Sequence, residues 1–142
     1  MNYADSSFLV ALYLADDPQQ GEQADAFMES EAQPVFFTPF NRVEVRNALR
    51  LSRWRGNVRS AQVQTAFAHI DADLREGFLV HTAVNHSAVY RLADELSAKH
   101  AGTRTLDLLH VASAVSLKAK TFLTFDTRQT ALAKAAGLRI RP

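Results

Sequence analysis

The stretch Lys120–Leu138, KTFLTFDTRQTALAKAAGL, joins a short apolar run to a helix through a single carboxylate. Phe122–Phe125 is bulky and mostly apolar, as expected of a buried strand, and the small helix-forming residues of Thr130–Ala136 follow it. Asp126 stands between the two, where a buried strand ends and the chain turns. One role for such a residue is to cap the helix, because an aspartate there accepts the free N–H groups of the first helical turn.

The chain begins in the same way. MNYADSSFLVALYLADD, Met1–Asp17, runs from a short apolar stretch into Asp5 and two serines, and then into an apolar helical pattern. The same pattern at both ends of the chain raises the question of whether the two carboxylates share a task.

Strand-like and helical segments alternate along the sequence. The predicted strands are Asn2–Ala4, Val35–Phe37, Phe78–His81, Phe122–Phe125 and Leu138–Ile140. The predicted helices are Phe8–Ala15, Gln19–Glu29, Phe40–Arg53, Arg59–Arg75, Ala88–His100, Leu106–Ala119 and Thr130–Ala136. Strands separated by helices favour a parallel sheet that is covered on both faces. We therefore expect residues 1–142 to form one domain, an α/β protein with a three-layer α/β/α sandwich around a central, mainly parallel sheet.

The composition is that of an ordinary globular domain, with 47% hydrophobic and 22% charged residues. The chain contains no cysteine, which excludes disulfides and thiolate metal sites and makes a cytoplasmic location the expectation. No signal-peptide pattern opens the sequence, and no apolar run approaches the ~20 residues that span a membrane, so no membrane association is expected.

Charge is distributed unevenly along the chain. Residues 1–41 contain seven acids and no Lys or Arg, whereas residues 42–60 contain six Arg and one Glu. Arg42, Arg46, Arg50 and Arg53 recur at helical spacing and form one stripe. This stripe can guide nucleic-acid phosphates, contact a partner protein or simply be solvated.

Two further acids lie within apolar surroundings. Glu44 is flanked by two valines in the helix that follows the second strand, and Asp107 opens an otherwise apolar helix. In open α/β sheets ligands bind at the carboxyl ends of the strands, so Asp5 and Asp126 are expected in one crevice, with Glu44 and Asp107 beside them. Carboxylates held together repel one another, and a hard divalent cation such as Mg²⁺ or Mn²⁺ would relieve the conflict.

Each acid also has a purely structural explanation. Asp5 and Asp126 can be helix caps, Asp107 can be a first-turn acid favoured by the helix dipole, and Glu44 can pair with an arginine one turn away. His110, three residues after Asp107, is interpreted as a packed or supporting histidine rather than a metal ligand. Four separate structural explanations account less easily for the fact that all four acids lie at strand ends and helix starts of one predicted sheet.

The order of these acids resembles that of PIN-domain ribonucleases, of the small kind found as VapC-type toxins. The likeness rests on Asp5-Ser-Ser, Glu44, the segment TLDLLHVASA around Asp107, and FLTFDTRQTALAKAAGL around Asp126. It covers nearly the whole chain. The segment TPFNRVEVRNAL departs from the family pattern, because a proline follows the second strand and arginines are unusually frequent.

The resemblance implies a metal-dependent endoribonuclease. Asp5, Glu44, Asp107 and Asp126 carry over as the catalytic acids, and Asp5, Asp107 and Asp126 as the ligands of one or two Mg²⁺ or Mn²⁺ ions. Ser6 and Thr124 match small polar positions that line the family's site. Arg104 and Arg128 stand close in sequence to two of the acids and are the expected phosphate contacts.

The partners that the resemblance implies are an RNA substrate and a cognate antitoxin, which would place a basic side chain in the acidic cleft. A homodimer is also expected, because the first two helices carry abundant apolar residues: Phe8, Leu12, Phe27 and Met28.

Two other classes of protein remain open. One is a PIN-like module without activity that binds RNA or a protein, against which an intact set of four acids argues. The other is a different Mg²⁺-dependent phosphoryl-transfer hydrolase, such as a phosphatase of the haloacid-dehalogenase type. That class would require an Asp-x-Asp pair after the first strand, where this chain has Asp5-Ser6-Ser7.

Overall fold

The computed structural model describes residues 1–31 and 33–142. Within them the strands are β1 (Asn2–Ala4), β2 (Val35–Phe37), β3 (Leu79–His81), β4 (Thr121–Leu123) and β5 (Arg139–Arg141). The helices are α1 (Ser6–Leu14), α2 (Pro18–Ser30), α3 (Pro39–Trp54), α4 (Ser60–Glu76), α5 (His86–Lys99), α6 (Thr105–Ser116) and α7 (Thr127–Ala135).

The strands form one sheet in the order β3-β2-β1-β4-β5, and each neighbouring pair is parallel. The first strand lies at the centre, with Tyr3 opposite Phe36 on one side and Phe122 on the other. All the carboxyl ends of the strands therefore meet at one edge of the sheet.

Successive residues of a strand point to opposite faces, and the two cores follow this alternation. Ala4 and Leu123 pack with apolar residues of α1, α2, α3 and α4 on one face. Tyr3 and Phe122 pack with residues of α5, α6 and α7 on the other. The predicted three-layer α/β fold is confirmed, with a sheet that is parallel throughout.

Boundaries differ from the predicted ones at helix starts and at the end of α6, and side-chain caps explain the early starts of α1 and α7. Asp126 accepts a hydrogen bond from the Arg128 backbone N–H at 2.8 Å, so α7 begins at Thr127, earlier than predicted. Asp5 accepts from the Phe8 N–H at 3.0 Å, and α1 accordingly begins at Ser6. The fourth strand ends at Leu123, two residues earlier than predicted.

Asn41 connects the start of α3 to the central strand. Its side chain is fully buried and donates to the Ala4 carbonyl at 2.9 Å. Its amide oxygen accepts from the Thr38 N–H at 2.9 Å and from the Thr38 hydroxyl at 2.7 Å. A buried amide that satisfies several groups at once fixes the position of the helix relative to β1.

Asn41→Ala is expected to lower the free energy of unfolding by about 2–4 kcal/mol. The change removes a helix-capping bond and leaves the buried Ala4 carbonyl without its partner. Asn47→Ala, an exposed asparagine on the same helix, is the control and should change stability by less than about 0.5 kcal/mol. Urea unfolding followed by circular dichroism measures both, and equal effects would show that Asn41 does not hold α3 in place.

Candidate active site

The four predicted acids lie around the carboxyl edge of the sheet. Asp5 directly follows β1, and Asp126 follows β4, which is the neighbour of β1. Asp107 lies in the first turn of α6, and Glu44 lies in α3, the helix that follows β2.

Asp5 is fully buried and anchors the site. Its Oδ1 accepts hydrogen bonds from the Ser7 hydroxyl at 2.7 Å and the Phe8 N–H at 3.0 Å, and its Oδ2 accepts from the Thr124 hydroxyl at 2.6 Å. Burial raises the pKa of this carboxyl, while the hydrogen bonds oppose the rise. A carboxylate offers roughly four acceptor positions, and one position on Oδ2 receives no donor from the residues that the structure describes.

Thr124 links Asp5 to Asp126, because its hydroxyl oxygen also accepts from the Asp126 N–H at 2.9 Å. Arg128 in turn donates to Asp126 Oδ2 at 3.3 Å. Burial alone would raise the pKa of Asp126, but the hydrogen bonds and the charge of Arg128 outweigh it and lower the pKa. Asp126 is therefore held in its ionised form.

Asp107 is buried and receives no hydrogen bond from the described residues. Its pKa is raised by desolvation first and by the negative charge of Asp126 second, whereas Arg128, Arg104 and His110 act in the opposite direction. Asp107 and Asp126 thus lie close enough to repel each other, and the Arg128 guanidinium partly offsets that repulsion.

Glu44 is connected to the centre of the sheet through His110. His110 is buried and its Nε2 is hydrogen-bonded to Glu44 Oε2, while its Nδ1 lies 3.0 Å from the Tyr3 hydroxyl. Burial raises the pKa of Tyr3 well above its usual range, so this hydroxyl is neutral. We infer that Tyr3 donates to Nδ1, which leaves Nε2–H to donate to the Glu44 carboxylate.

The structure places the other predicted residues as follows. Thr124 is buried among the acids, whereas Arg104 and Arg128 are exposed, Arg104 directly before α6 and Arg128 in the first turn of α7. The Ser6 side chain makes no hydrogen bond to the described residues, and Ser7 bonds Asp5 instead. Ser7 also accepts from the Phe125 N–H at 3.0 Å.

Sequence reasoning did not find the roles of Ser7 and Tyr3. The available signal for Ser7 is its position two residues after a strand-end aspartate, where a hydroxyl can bond the carboxylate locally. Tyr3 carried no such signal, because its contact with His110 joins residues 107 positions apart. The alternative that Glu44 pairs with an arginine is wrong, since the structure pairs it with histidine.

The donor chemistry fits a hard cation, although the geometry is not that of a closed metal site. Among residues 1–31 and 33–142, no three acidic or histidine side chains converge closely enough to hold a metal ion. Asp5 nevertheless offers an open oxygen position, and Asp107 offers oxygens without a hydrogen-bond partner in the described residues. Carboxylate oxygens without sulfur ligands suit Mg²⁺ or Mn²⁺.

The comparisons with known proteins agree with the fold. The PIN domain family matches residues 3–135, so the chain belongs to that family. No curated protein sequence matches the chain. In the part of the chain that the structure describes, every helix is too short or too polar to cross a membrane.

Solved structures of VapC-type proteins have the same fold. VapC20 of Mycobacterium tuberculosis, described as a Sarcin-Ricin loop cleaving toxin, is 20% identical with a TM-score of 0.69, and all of both chains is covered. VapBC2 of Rickettsia felis, bound to a DNA fragment from its promoter, is 16% identical with a TM-score of 0.65, over 99% of this chain and 98% of that one. FitAcB of Neisseria gonorrhoeae is 16% identical with a TM-score of 0.64, over 100% of this chain and 97% of that one.

Asp107→Asn is expected to raise the melting temperature of the metal-free protein. The amide keeps the shape of the side chain and removes one of two repelling charges, and each 1 kcal/mol of relieved repulsion corresponds to about 2–4 °C in a domain near this size. Scanning fluorimetry in EDTA measures the shift. Asp25→Asn on α2, an exposed aspartate on the other face of the sheet, is the matched control.

The pH dependence provides a second measurement. Because the folded-state pKa of Asp107 is raised, its ionised form costs stability, and that cost disappears as the pH falls through this pKa. The difference in melting temperature between variant and wild type should therefore shrink as the pH is lowered from neutral toward the ordinary pKa of aspartate, about 3.9. A variant that melts below wild type at neutral pH would contradict the repulsion.

Proposed function

We propose that this chain, as a single domain of residues 1–142, is a metal-dependent endoribonuclease and the toxin of a type II toxin–antitoxin pair. The observation that carries the proposal is the grouping of Asp5, Asp107 and Asp126 at the carboxyl edge of a PIN-family sheet, beside a Glu44 carboxylate that His110 orients. Membership of the PIN family and the fold shared with a toxin that cleaves the Sarcin-Ricin loop support the choice of RNA as substrate.

Asp5, Asp107 and Asp126 would hold the cation. A bound Mg²⁺ or Mn²⁺ supplies hydroxide near neutral pH and stabilises the charge that develops during phosphodiester hydrolysis. Glu44 has a different task, because its bond to His110 fixes one oxygen and leaves the carboxylate to accept a hydrogen bond from the attacking water. Ser7 and Thr124 keep Asp5 in place.

Arg104 and Arg128 would contact the phosphates of the substrate at the rim of the site. Arg128 is bonded to Asp126 in the structure, and neutralisation of the acids by a cation would free its guanidinium for phosphate. Thr124 and Ser6 remain the proposed polar lining of the substrate path. The reaction needs no nucleophile from the chain, since water attacks the phosphorus.

Two other functions are less well supported. A module without activity would not require a fully buried carboxyl group at the carboxyl edge of the sheet, because burying such a group costs stability. A haloacid-dehalogenase phosphatase would require a second acid two residues after Asp5. Ser7 occupies that position and hydrogen-bonds Asp5.

Asp5→Asn and Asp107→Asn are each expected to abolish RNA cleavage while the fold is kept, because the amide retains the shape and loses the charge that binds the cation. The wild-type protein should cleave RNA in Mg²⁺ or Mn²⁺, and addition of EDTA should stop the cleavage. Asp25→Asn should cleave like wild type. A gel assay measures cleavage, and undiminished activity of both site variants would contradict the assignment.

Metal binding has its own readout in the same proteins. A cation that binds only the folded state stabilises it by about 1.4 kcal/mol at ten times Kd, so Mg²⁺ at constant ionic strength should raise the melting temperature of wild type. The rise should be smaller in Asp107→Asn. Equal responses would place the cation elsewhere.

An antitoxin is the proposed protein partner, with a basic side chain inserted among the acids. The Arg128–Asp126 pair shows that a guanidinium fits beside these carboxylates. A gene for a small DNA-binding protein immediately upstream would support the pairing. Both partners would act in the cytoplasm, where the RNA substrate is found.

A homodimer is also proposed, but through a different surface from the one first expected. Phe8 is fully buried in the core, and Leu12, Phe27 and Met28 pack against that core, so they do not form a free apolar face. Val43 on α3 and Tyr90 on α5 are instead 68% and 59% exposed, and they line one apolar cavity of about 310 Å³.

Val43→Asp and Tyr90→Asp are each expected to weaken the dimer at least tenfold in Kd, because a charge at an apolar contact must be desolvated without a partner. Phe78→Asp is the control, because Phe78 is also an exposed apolar residue but lies directly before β3, at the amino ends of the strands. Light scattering over a concentration series measures the dissociation constant. A wild type that stays monomeric at high concentration would contradict the dimer.

A further inference from the structure

The turn between α3 and α4 presents an aromatic ring among positive charges. Trp54, the last residue of α3, is 82% exposed. Arg53, Arg55 and Arg59 surround it in sequence and are exposed as well. We call these four residues the hairpin tip.

Arg46 and Arg50 of the arginine stripe differ in their contacts from the arginines of the hairpin tip. The Arg46 guanidinium lies 4.2 Å from the centre of the Phe67 ring on α4, and Arg50 lies 5.2 Å from it. Arg46 also approaches Asp71 at 3.9 Å. These two arginines therefore attach α3 to α4. In the part of the chain that the structure describes, the three arginines of the hairpin tip form no ion pair.

The backbone of the hairpin tip is well fixed although its side chains are free. The Gly56 N–H donates to the Arg53 carbonyl at 2.9 Å, and the Asn57 N–H donates to the Ser52 carbonyl at 3.0 Å. Gly56 has φ of +80°, a left-handed conformation that glycine adopts without strain. The turn thus holds Trp54 outward from a stable helix end, where the ring contributes little to the core.

We propose that the hairpin tip binds single-stranded RNA, with one base stacked on Trp54 and the flanking phosphates paired with Arg53, Arg55 and Arg59. This inference rests on the proposed function for the identity of the ligand. Aromatic rings that accept bases and cations that neutralise phosphates are the two elements of such sites. Trp54 lies ten residues after Glu44 on the same helix, which is roughly 15 Å along the axis. The tip therefore binds RNA beside the cleavage site rather than at it.

The positive charge favours RNA over the other possible occupants. The acidic residues 1–41 of a second copy would offer carboxylates to the arginines, but carboxylates give Trp54 nothing to stack on. An RNA strand satisfies both the ring and the charges at once. Contact with a second copy is accordingly an outcome that the experiment must detect.

Trp54 is the one tryptophan of the chain, so tryptophan emission, excited at a wavelength where the three tyrosines absorb little, reports on the hairpin tip. Titration of the 142-residue protein with a short oligouridine in EDTA, which prevents metal-dependent cleavage, should change the emission saturably. An oligonucleotide of the same length without bases should bind more weakly and leave the emission nearly unchanged. An emission change that depends on protein concentration but not on RNA would show that a second copy occupies the tip, and would overturn the proposal.

Trp54→Ala should weaken binding of labelled oligouridine, followed by anisotropy, by about 5- to 150-fold, whereas Trp54→Phe should retain most of the affinity. Arg53→Gln, Arg55→Gln and Arg59→Gln combined should reduce the slope of log affinity against log salt by about two. The controls are Phe78→Ala for the aromatic residue and the combination of Arg91→Gln, Lys99→Gln and Arg139→Gln for the charge. Unchanged affinity in Trp54→Ala and in the triple arginine variant would overturn the proposal.

The outcomes separate this inference from the proposed nuclease. Cleavage that depends on Asp5, combined with oligouridine affinity that does not depend on Trp54, would refute the hairpin tip alone. RNA binding that depends on Trp54, without cleavage by wild type in Mg²⁺ or Mn²⁺, would refute the nuclease and leave the hairpin tip as an RNA-binding element.

Discussion

The buried carboxylate of Asp5 is the constraint on which the arrangement of the site depends. An isolated buried charge is costly, and it becomes acceptable only when donors in fixed positions satisfy it. Here the donors come from the first turn of α1 and from Thr124 after β4. Thr124 can reach Asp5 only because the two strands are neighbours, with Ala4 paired to Leu123. Strand order and site geometry are therefore linked by one residue.

The same central strand also positions the carboxylate on the other side of the site. Tyr3 stacks on Phe122 with ring centres 5.7 Å apart, and its hydroxyl holds His110, which holds Glu44. Tyr3 points to the face of the sheet opposite Ala4, as the alternation of a strand requires. Packing in the second core is transmitted to Glu44 through two hydrogen bonds, so a change in this core would alter the site without touching an acid.

The sequence alone was sufficient for the parts of the fold that depend on local patterns. β1 and β2 were predicted with the bounds that the structure has, and the parallel order brought Asp5 and Asp126 to one edge. Helix starts were displaced by one to three residues, because a cap depends on side-chain geometry rather than on apolar periodicity. The hydrogen bond from Ser7 to Asp5 could not be predicted for the same reason, since the direction of each hydroxyl is set by the turn. Contacts between residues far apart in sequence, such as the one between Tyr3 and His110, could not be predicted from local patterns.

The arginines show a further limit of sequence patterns and also how the molecule handles its opposing charges. Helical spacing makes Arg46, Arg50 and Arg53 equivalent. In the structure, however, Arg46 and Arg50 pack against the Phe67 ring of α4, whereas Arg53 is exposed. Arg128 is different again, because it lies beside Asp126 at the surface, where solvent weakens an ion pair. Such a pair keeps Asp126 ionised and limits its repulsion with Asp107, but it costs little to break. An exposed arginine would therefore give way to the proposed divalent cation more readily than a buried one, whose ion pair is costly to break.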